Sequence, residues 1–179
     1  MKYDINWLIK RADEKELDFL FFWGHQRSKD GSVIKTCMSQ WWPSSFAENG
    51  TNYETAEHYM MAQKALLFND HDIFEKILTE KDPKDVKDLG RQIKNFDAKK
   101  WDAHKFDIVK QGNLLKFSQN EELKSFLLQT KSKILAEASP VDAIWGIGLV
   151  ENHPDALVPK NWKGLNLLGF ALMEIRDEI

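Results

Sequence analysis

Apolar positions along the chain change their spacing several times, and each change marks an element. Phe19 to Trp23 is a short aromatic run stopped by Gly24, and Ser32 to Met38 is a second β-leaning stretch behind Asp30-Gly31. Two such runs around an Asp-Gly pair predict a hairpin, so a small β element is expected near the N-terminus. Gln40-Trp41-Trp42-Pro43 interrupts the pattern, and Asn49-Gly50 predicts another turn ahead of Thr51-Asn52-Tyr53. The period then lengthens to that of a helix, from about Ala56 to Phe68, with Thr55 as its N-cap.

Helical spacing dominates the remainder. Helices are expected over His71 to Thr79 and over Pro83 to Arg91, where Pro83 suits a first helical position. The longest runs from Asp97 to Phe117, with Trp101, Ile108 and Leu115 repeating at intervals of seven. Asn120 stands where it would cap a helix over Glu121 to Thr130, whose first turn carries Glu121 and Glu122 at the positive end of the dipole. Ile134-Leu135-Ala136 reads as a short buried strand, and Asn166 to Ile179 closes the chain as a helix with Leu167, Leu168, Phe170, Ala171 and Met173 on its apolar face. No repeat, low-complexity tract or linker interrupts this order. The expected fold is therefore α+β: a compact, predominantly helical single domain over residues 1–179 with a small β element.

Composition narrows the class. A chain of 179 residues buries a sizeable core without metal or disulfide support. Hydrophobic residues at 42% and aromatics at 12% exclude a disordered chain, and seven Trp are more than such a core needs, which leaves some of them to line a site. With 28 acidic and 25 basic residues the net charge is -3, so any contact with nucleic acid has to be local. The lone Cys37 is expected in packing, in a reducing compartment. The N-terminal stretch has no signal-peptide apolar region and no apolar run approaches the roughly 20 residues of a membrane span, so a soluble, cytoplasmic protein with no membrane partner is expected. The five His, at 25, 58, 71, 104 and 153, show no close ligand spacing, and neither a metal nor another cofactor is expected.

Chemistry concentrates in two places. Glu57 and Lys64 are seven residues apart on one predicted helix, hence on nearly the same stripe and roughly 10 Å apart in rise. Two long side chains so placed converge on one ligand, although a carboxylate near a helix N-terminus and a solvated lysine describe the same residues equally well. His58 between them reads as a hydrogen-bonded wall residue. The second place is Ala138 to Gly148, where two glycines, Gly146 and Gly148, beside Trp145 let the backbone come close to a flat or phosphorylated ligand, and Asp142 supplies a carboxylate, with a tight turn around a packed Trp as the plain alternative. Asn166 and Gly169 offer an amide and backbone donors at the start of the last helix, with an N-cap as the plain alternative for Asn166.

The stretches SQWWPSSF, TAEHYMMAQKA, LGR, WDAHKFDIVKQGNLLKFSQN, LLQT, LAEASPVDAIWGIGL and GLNLLGFALMEIR together resemble the NADAR, or YbiA-like, family from about Phe21 to Arg176. The resemblance implies a helix-rich α+β domain that hydrolyses N-glycosidic bonds to ribose. Two substrate classes go with it: ADP-ribose on the guanine amino group in nucleic acid, and ribosylamino-pyrimidine phosphates of riboflavin biosynthesis. Both join ribose C1 to an exocyclic nitrogen, which a neutral lysine displaces through a Schiff base. Lys64 is then the candidate nucleophile and Glu57 the proton carrier, while a carboxylate mechanism would instead use Glu57 or Asp142. Trp23, Trp101 and Trp145 are candidate stacking surfaces, and Arg91 is the candidate phosphate fork. Gln40, Gly146, Gly148, Asn166 and Gly169 complete the expected binding set. An inactive nucleotide-binding module and a helical interaction protein are the non-enzymatic alternatives, and the several Trp favour the larger, ADP-ribosyl substrate.

Overall fold

The computed structural model describes all residues, 1–179, and the chain divides into two compact units. A terminal unit joins Met1–Ser39 to Glu122–Ile179, and a middle unit is the continuous segment Gln40–Glu121. The architecture is α+β with helices predominating, as the periodicity indicates.

The terminal unit begins with helix α1 (Ile5–Glu14), which the spacing argument overlooks. Its N-cap is Asp4, whose carboxylate accepts the Trp7 N–H at 2.7 Å, and Leu8 is its one fully buried residue. Strand β1 (Phe19–Phe22) follows, but the Asp30-Gly31 hairpin does not form. Gly31 does turn, at φ +80°, with Asp30 accepting from the hydroxyls of Ser28 and Ser32. Lys35–Met38 then winds into a 3-10 turn, and β1 pairs instead in parallel with a strand near the other end of the chain, Ile134–Glu137.

In the middle unit the Asn49-Gly50 turn is real. Strand β2 (Phe46–Glu48) pairs antiparallel with β3 (Thr51–Tyr53) across Asn49 and Gly50, both at positive φ (50° and 81°), the geometry of a two-residue hairpin turn. Helix α2 (Ala56–Leu67) starts at Thr55, whose hydroxyl accepts the His58 N–H, and packs against α3 (His71–Thr79), α4 (Pro83–Gly90) and α5 (Ala98–Ser118). Each of those three opens on an aspartate cap: Asp70, Asp82 and Asp97. The inward face of α5 differs from expectation. Trp101, Ile108 and Leu115 are only half-buried, while Val109, Gly112, Asn113 and Lys116 face the interior. The cause is Gly112, where an added Cβ would stand 2.5 Å from the Tyr59 ring; α5 approaches α2 along the side that lacks a side chain.

Helix α6 (Glu121–Gln129), strand β4 (Ile134–Glu137, paired with β1) and helix α7 (Leu167–Arg176) complete the terminal unit. Asn120 does not cap α6 in the expected way; its amide donates to the carbonyls of Lys116 and Ser45. Phe21, Ala136, Ala138, Ile147, Leu149 and Ala156 form a core on the paired strands, with Phe19 and Trp162 against it. Cys37 is buried. No helix is long and apolar enough to cross a membrane.

A backbone seam joins α7 to β4. At Gly169 an added Cβ would lie 2.1 Å from the Leu135 carbonyl oxygen and 2.5 Å from the Asn166 amide. Backbone cannot yield as a flexible side chain does, so Gly169→Ala is expected to destabilise the protein by about 1–3 kcal/mol, read as a lower denaturant midpoint at unchanged m.

Candidate functional site

Helix α2 is enclosed, and its polar residues are enclosed with it. Glu57 and His58 are 3% and 1% exposed. The Glu57 N–H, one of the free donors of the first turn, bonds the Gln40 carbonyl at 3.0 Å. Gln40 is itself buried and takes the Asn113 amide on its side-chain oxygen at 2.6 Å. Seven residues on from Glu57, Lys64 is half-buried and its Nζ donates to the Gly90 carbonyl at 2.7 Å. The same nitrogen lies 4.7 Å from the Phe96 ring centroid and 5.5 Å from that of Trp101. Lys64 is thus an amine held by one carbonyl between two aromatic faces.

The charges around it oppose one another. Burial pushes the Lys64 pKa below its ordinary value, the Glu57 carboxylate pulls it up, and the Arg91 guanidinium pushes it down again. The balance is a lowered pKa, toward the neutral amine that nucleophilic attack requires. Arg91 is exposed at the C-cap of α4, next to Gly90, and pairs with Asp88 at 2.5 Å. Gln40, Glu57, Lys64, Arg91 and Trp101 are therefore all gathered in the middle unit around α2.

The remaining expected residues belong to the terminal unit. Trp23 is 53% exposed just beyond β1. Asp142 Oδ1 accepts the N–H groups of Ile144 and Trp145 at 2.9 and 2.8 Å, which shapes the turn that presents Trp145. Gly146 permits close approach to the Glu137 carbonyl, and Gly148, at φ +69°, to Lys163 and Gly164. Asn166, fully buried at φ 53°, caps no helix with its side chain; its oxygen accepts the Glu137 N–H at 3.0 Å and its nitrogen donates to the Leu135 carbonyl at 2.9 Å. Gly146, Gly148, Asn166 and Gly169 thus serve the packing of this loop and helix, while Trp23 and the Trp145 turn keep exposed surface.

The NADAR domain profile matches residues 21–179. The chain belongs to the NADAR family. It is 47% identical to N-glycosidase R617 of Acanthamoeba polyphaga mimivirus over 89% of this chain and 95% of that protein. N-glycosidase Npun_R5314 of Nostoc punctiforme is 33% identical over 80% of this chain and 85% of its own length. N-glycosidase YbiA of Escherichia coli is 32% identical over 77% of this chain and 76% of its length. The NMR structure of E. coli YbiA superposes with a TM-score of 0.72 at 27% identity, covering 92% of this chain and 86% of that one, and so shares the α+β fold.

Three residues of the middle unit escape sequence reasoning. Phe96 is a loop residue, 48% exposed, with no periodicity to mark it. Asn113 and Lys116 are fully buried polar residues of α5, hidden by the assumption that Trp101, Ile108 and Leu115 mark the inward face. Their spacing from Val109, four and seven residues, was the available signal.

His58 is the wall residue its position suggests. Its Nε2 donates to the Glu80 carbonyl at 3.0 Å, which leaves Nδ1 to accept the Thr55 hydroxyl at 2.8 Å, so the ring is neutral. Burial lowers its pKa from the ordinary 6.5. Below pH 6.5 the unfolded chain binds a proton that the folded chain refuses, and stability falls as pH drops from that point toward the folded value. Denaturant midpoints measured from pH 7.5 to 5 are expected to decline across this window, and His58→Gln is expected to flatten the decline.

Proposed function

We propose that the chain is an N-glycosidase that cleaves the bond between ribose C1 and an exocyclic nitrogen, with Lys64 as nucleophile and Glu57 as proton carrier, and that its substrate is ADP-ribose on guanine. The observation that carries the reading is the Lys64 amine, half-buried between Phe96 and Trp101 with Nζ 2.7 Å from the Gly90 carbonyl. A solvated surface lysine has neither the lowered pKa nor the fixed direction of attack.

The chemistry follows from that placement. Ring opening of the glycosylamine gives an imine at C1, the ring oxygen taking a proton. Lys64 adds its lone pair to C1, and its two amine protons pass in turn to the base nitrogen by way of Glu57. The C1–nitrogen bond breaks, the base leaves as its neutral amine, and ribose remains as a Schiff base on Nζ. Water adds to C1, and collapse of the carbinolamine releases the sugar and restores the amine. One N–H donated to Gly90 turns the Lys64 lone pair away from that carbonyl. Arg91, exposed beside Gly90, is positioned to trade Asp88 for a phosphate oxygen. The two aromatic faces at Lys64 offer more stacking surface than a single-ring base requires, which supports the purine, ADP-ribosyl substrate over a pyrimidine one. Asp142, already engaged by two turn N–H groups, fits a positioning part.

Lys64→Ala is expected to lower kcat by at least about a hundredfold with ligand binding retained. Borohydride during turnover is expected to leave the ribosyl group on Lys64, located by peptide mass spectrometry. Turnover is expected to rise with pH to a midpoint below 10.5, the ordinary lysine value. Arg91→Gln removes a positive neighbour and should move that midpoint up, while Glu57→Gln removes a negative one and should move it down. An active Lys64→Ala with a dead Glu57→Gln would return the chemistry to a carboxylate.

A further inference from the structure

An exposed phenylalanine needs a reason to stay in one place, and Phe96 has three. Its ring, in a residue 48% exposed, rests on that of buried Phe68, with centroids 5.2 Å apart. On one side its loop is pinned where the Lys94 N–H bonds Asp70 Oδ2 at 2.8 Å, the carboxylate whose other oxygen caps α3. On the other side Asp97 caps α5 by accepting the Lys100 N–H at 3.0 Å. Fixing a ring costs conformational freedom, and burial does not return that cost where half the residue still faces water. What the ring covers is Lys64: Nζ lies 4.7 Å from its centroid and 5.5 Å from that of half-buried Trp101 on α5.

Two aromatic faces do not help an amine to be neutral. Their electron-rich centres attract a cation, so they favour the ammonium and oppose the lowering that burial and Arg91 bring about. Their use lies further along the reaction, where Nζ becomes positive twice. When the Nζ lone pair bonds C1, the C1–nitrogen π pair moves to the base nitrogen, and Nζ holds four bonds with both protons still in place. After the base has gone, the Schiff base takes a proton on Nζ. Water then adds through oxygen to C1, the π pair returns to Nζ as a lone pair, and the surplus water proton passes to Glu57. Both cations stand where the ammonium stood, before the same two rings. The charged groups acting on this nitrogen are Glu57 on α2 and Arg91 at the end of α4, while α5 and the loop before it present the rings. A carboxylate in contact with Nζ would hold it as ammonium, whereas the weaker pull of a ring leaves room for the neutral form.

We propose that Phe96 is a catalytic residue, its ring face stabilising, together with that of Trp101, the positive charge that forms on Lys64 Nζ as the ribose is transferred to it and released. The role rests on Lys64 as nucleophile, and it differs from stacking on the leaving base, which concerns affinity. The test replaces Phe96, in the full chain, by phenylalanines carrying one, two and three ring fluorines, which keep the shape of the ring while withdrawing charge from its face step by step. Turnover of ADP-ribose-linked guanine is followed across the lysine midpoint. Each fluorine is expected to lower the high-pH plateau of kcat and also to move the midpoint down, because the intermediates and the ammonium lose the same attraction. Phe96→Leu, which has bulk but no π face, is expected to lower that plateau about tenfold with KM nearly unchanged. Stacking alone predicts a steady plateau and a KM that moves, and packing alone predicts no trend along the series; either result overturns the proposal. Borohydride added to the same reactions separates this outcome from a failure of the nucleophile. A Lys64 adduct with a flat fluorine series removes the part of Phe96 alone, whereas no adduct in the wild-type chain removes the lysine mechanism and the part of the ring with it.

Discussion

Enclosure of α2 is the constraint from which the candidate site follows. Eight of its twelve residues are buried, among them Glu57 and His58, and α3, α4 and α5 all pack on it. A helix in that position cannot send polar side chains to water, so each has to find a partner within the unit or be tolerated at a cost. His58 finds Thr55 and Glu80, and Lys64 finds Gly90 and two ring faces. The low hydrophobic periodicity of this helix, which at first looks like a weak amphipathic pattern, is the signature of a helix surrounded on most sides.

Glycine sets the distances of closest approach. At Gly90 an added Cβ would stand 2.0 Å from Met61 Sδ, and Met61 lies between Glu57 and Lys64 on the same stripe of α2. At Gly112 the Tyr59 ring fills the space on the other side. The two contacts clamp α2 between α4 and α5 at backbone range, and the first of them brings the Gly90 carbonyl within reach of the lysine. The LGR stretch thus contributes through its glycine as well as through its arginine.

Much of this was legible in the sequence, and the failures have specific causes. The helices of the middle unit were readable because each starts at an aspartate or threonine cap, α3 and α4 adding a marked period, and the Asn49-Gly50 turn because only a few residues tolerate positive φ in succession. Glu57 and Lys64 were paired by helical geometry alone. The partner of β1 was not readable, since parallel strands are joined by no local turn and the Asp30-Gly31 signal lay nearby as a decoy. The inward face of α5 was assigned to its large apolar residues, whereas a glycine decided it. Asn166 looked like a cap and instead serves both a donor and an acceptor of β4, a tertiary role that no spacing rule encodes.

The parallel pairing of β1 with β4 also orders the birth of the molecule. Phe19–Phe22 leaves the ribosome early and its partner, Ile134–Glu137, only after the whole of Gln40–Glu121 has been made. The middle unit is continuous and rich in local helical contacts, so it has everything it needs to close while synthesis continues. The terminal unit does not: until β4 and α7 emerge, β1 waits with an unpaired edge and its phenylalanines uncovered. Nascent chains stalled between the two strands would carry a folded middle and a sticky beginning, which makes that interval the one in which a chaperone has most to protect.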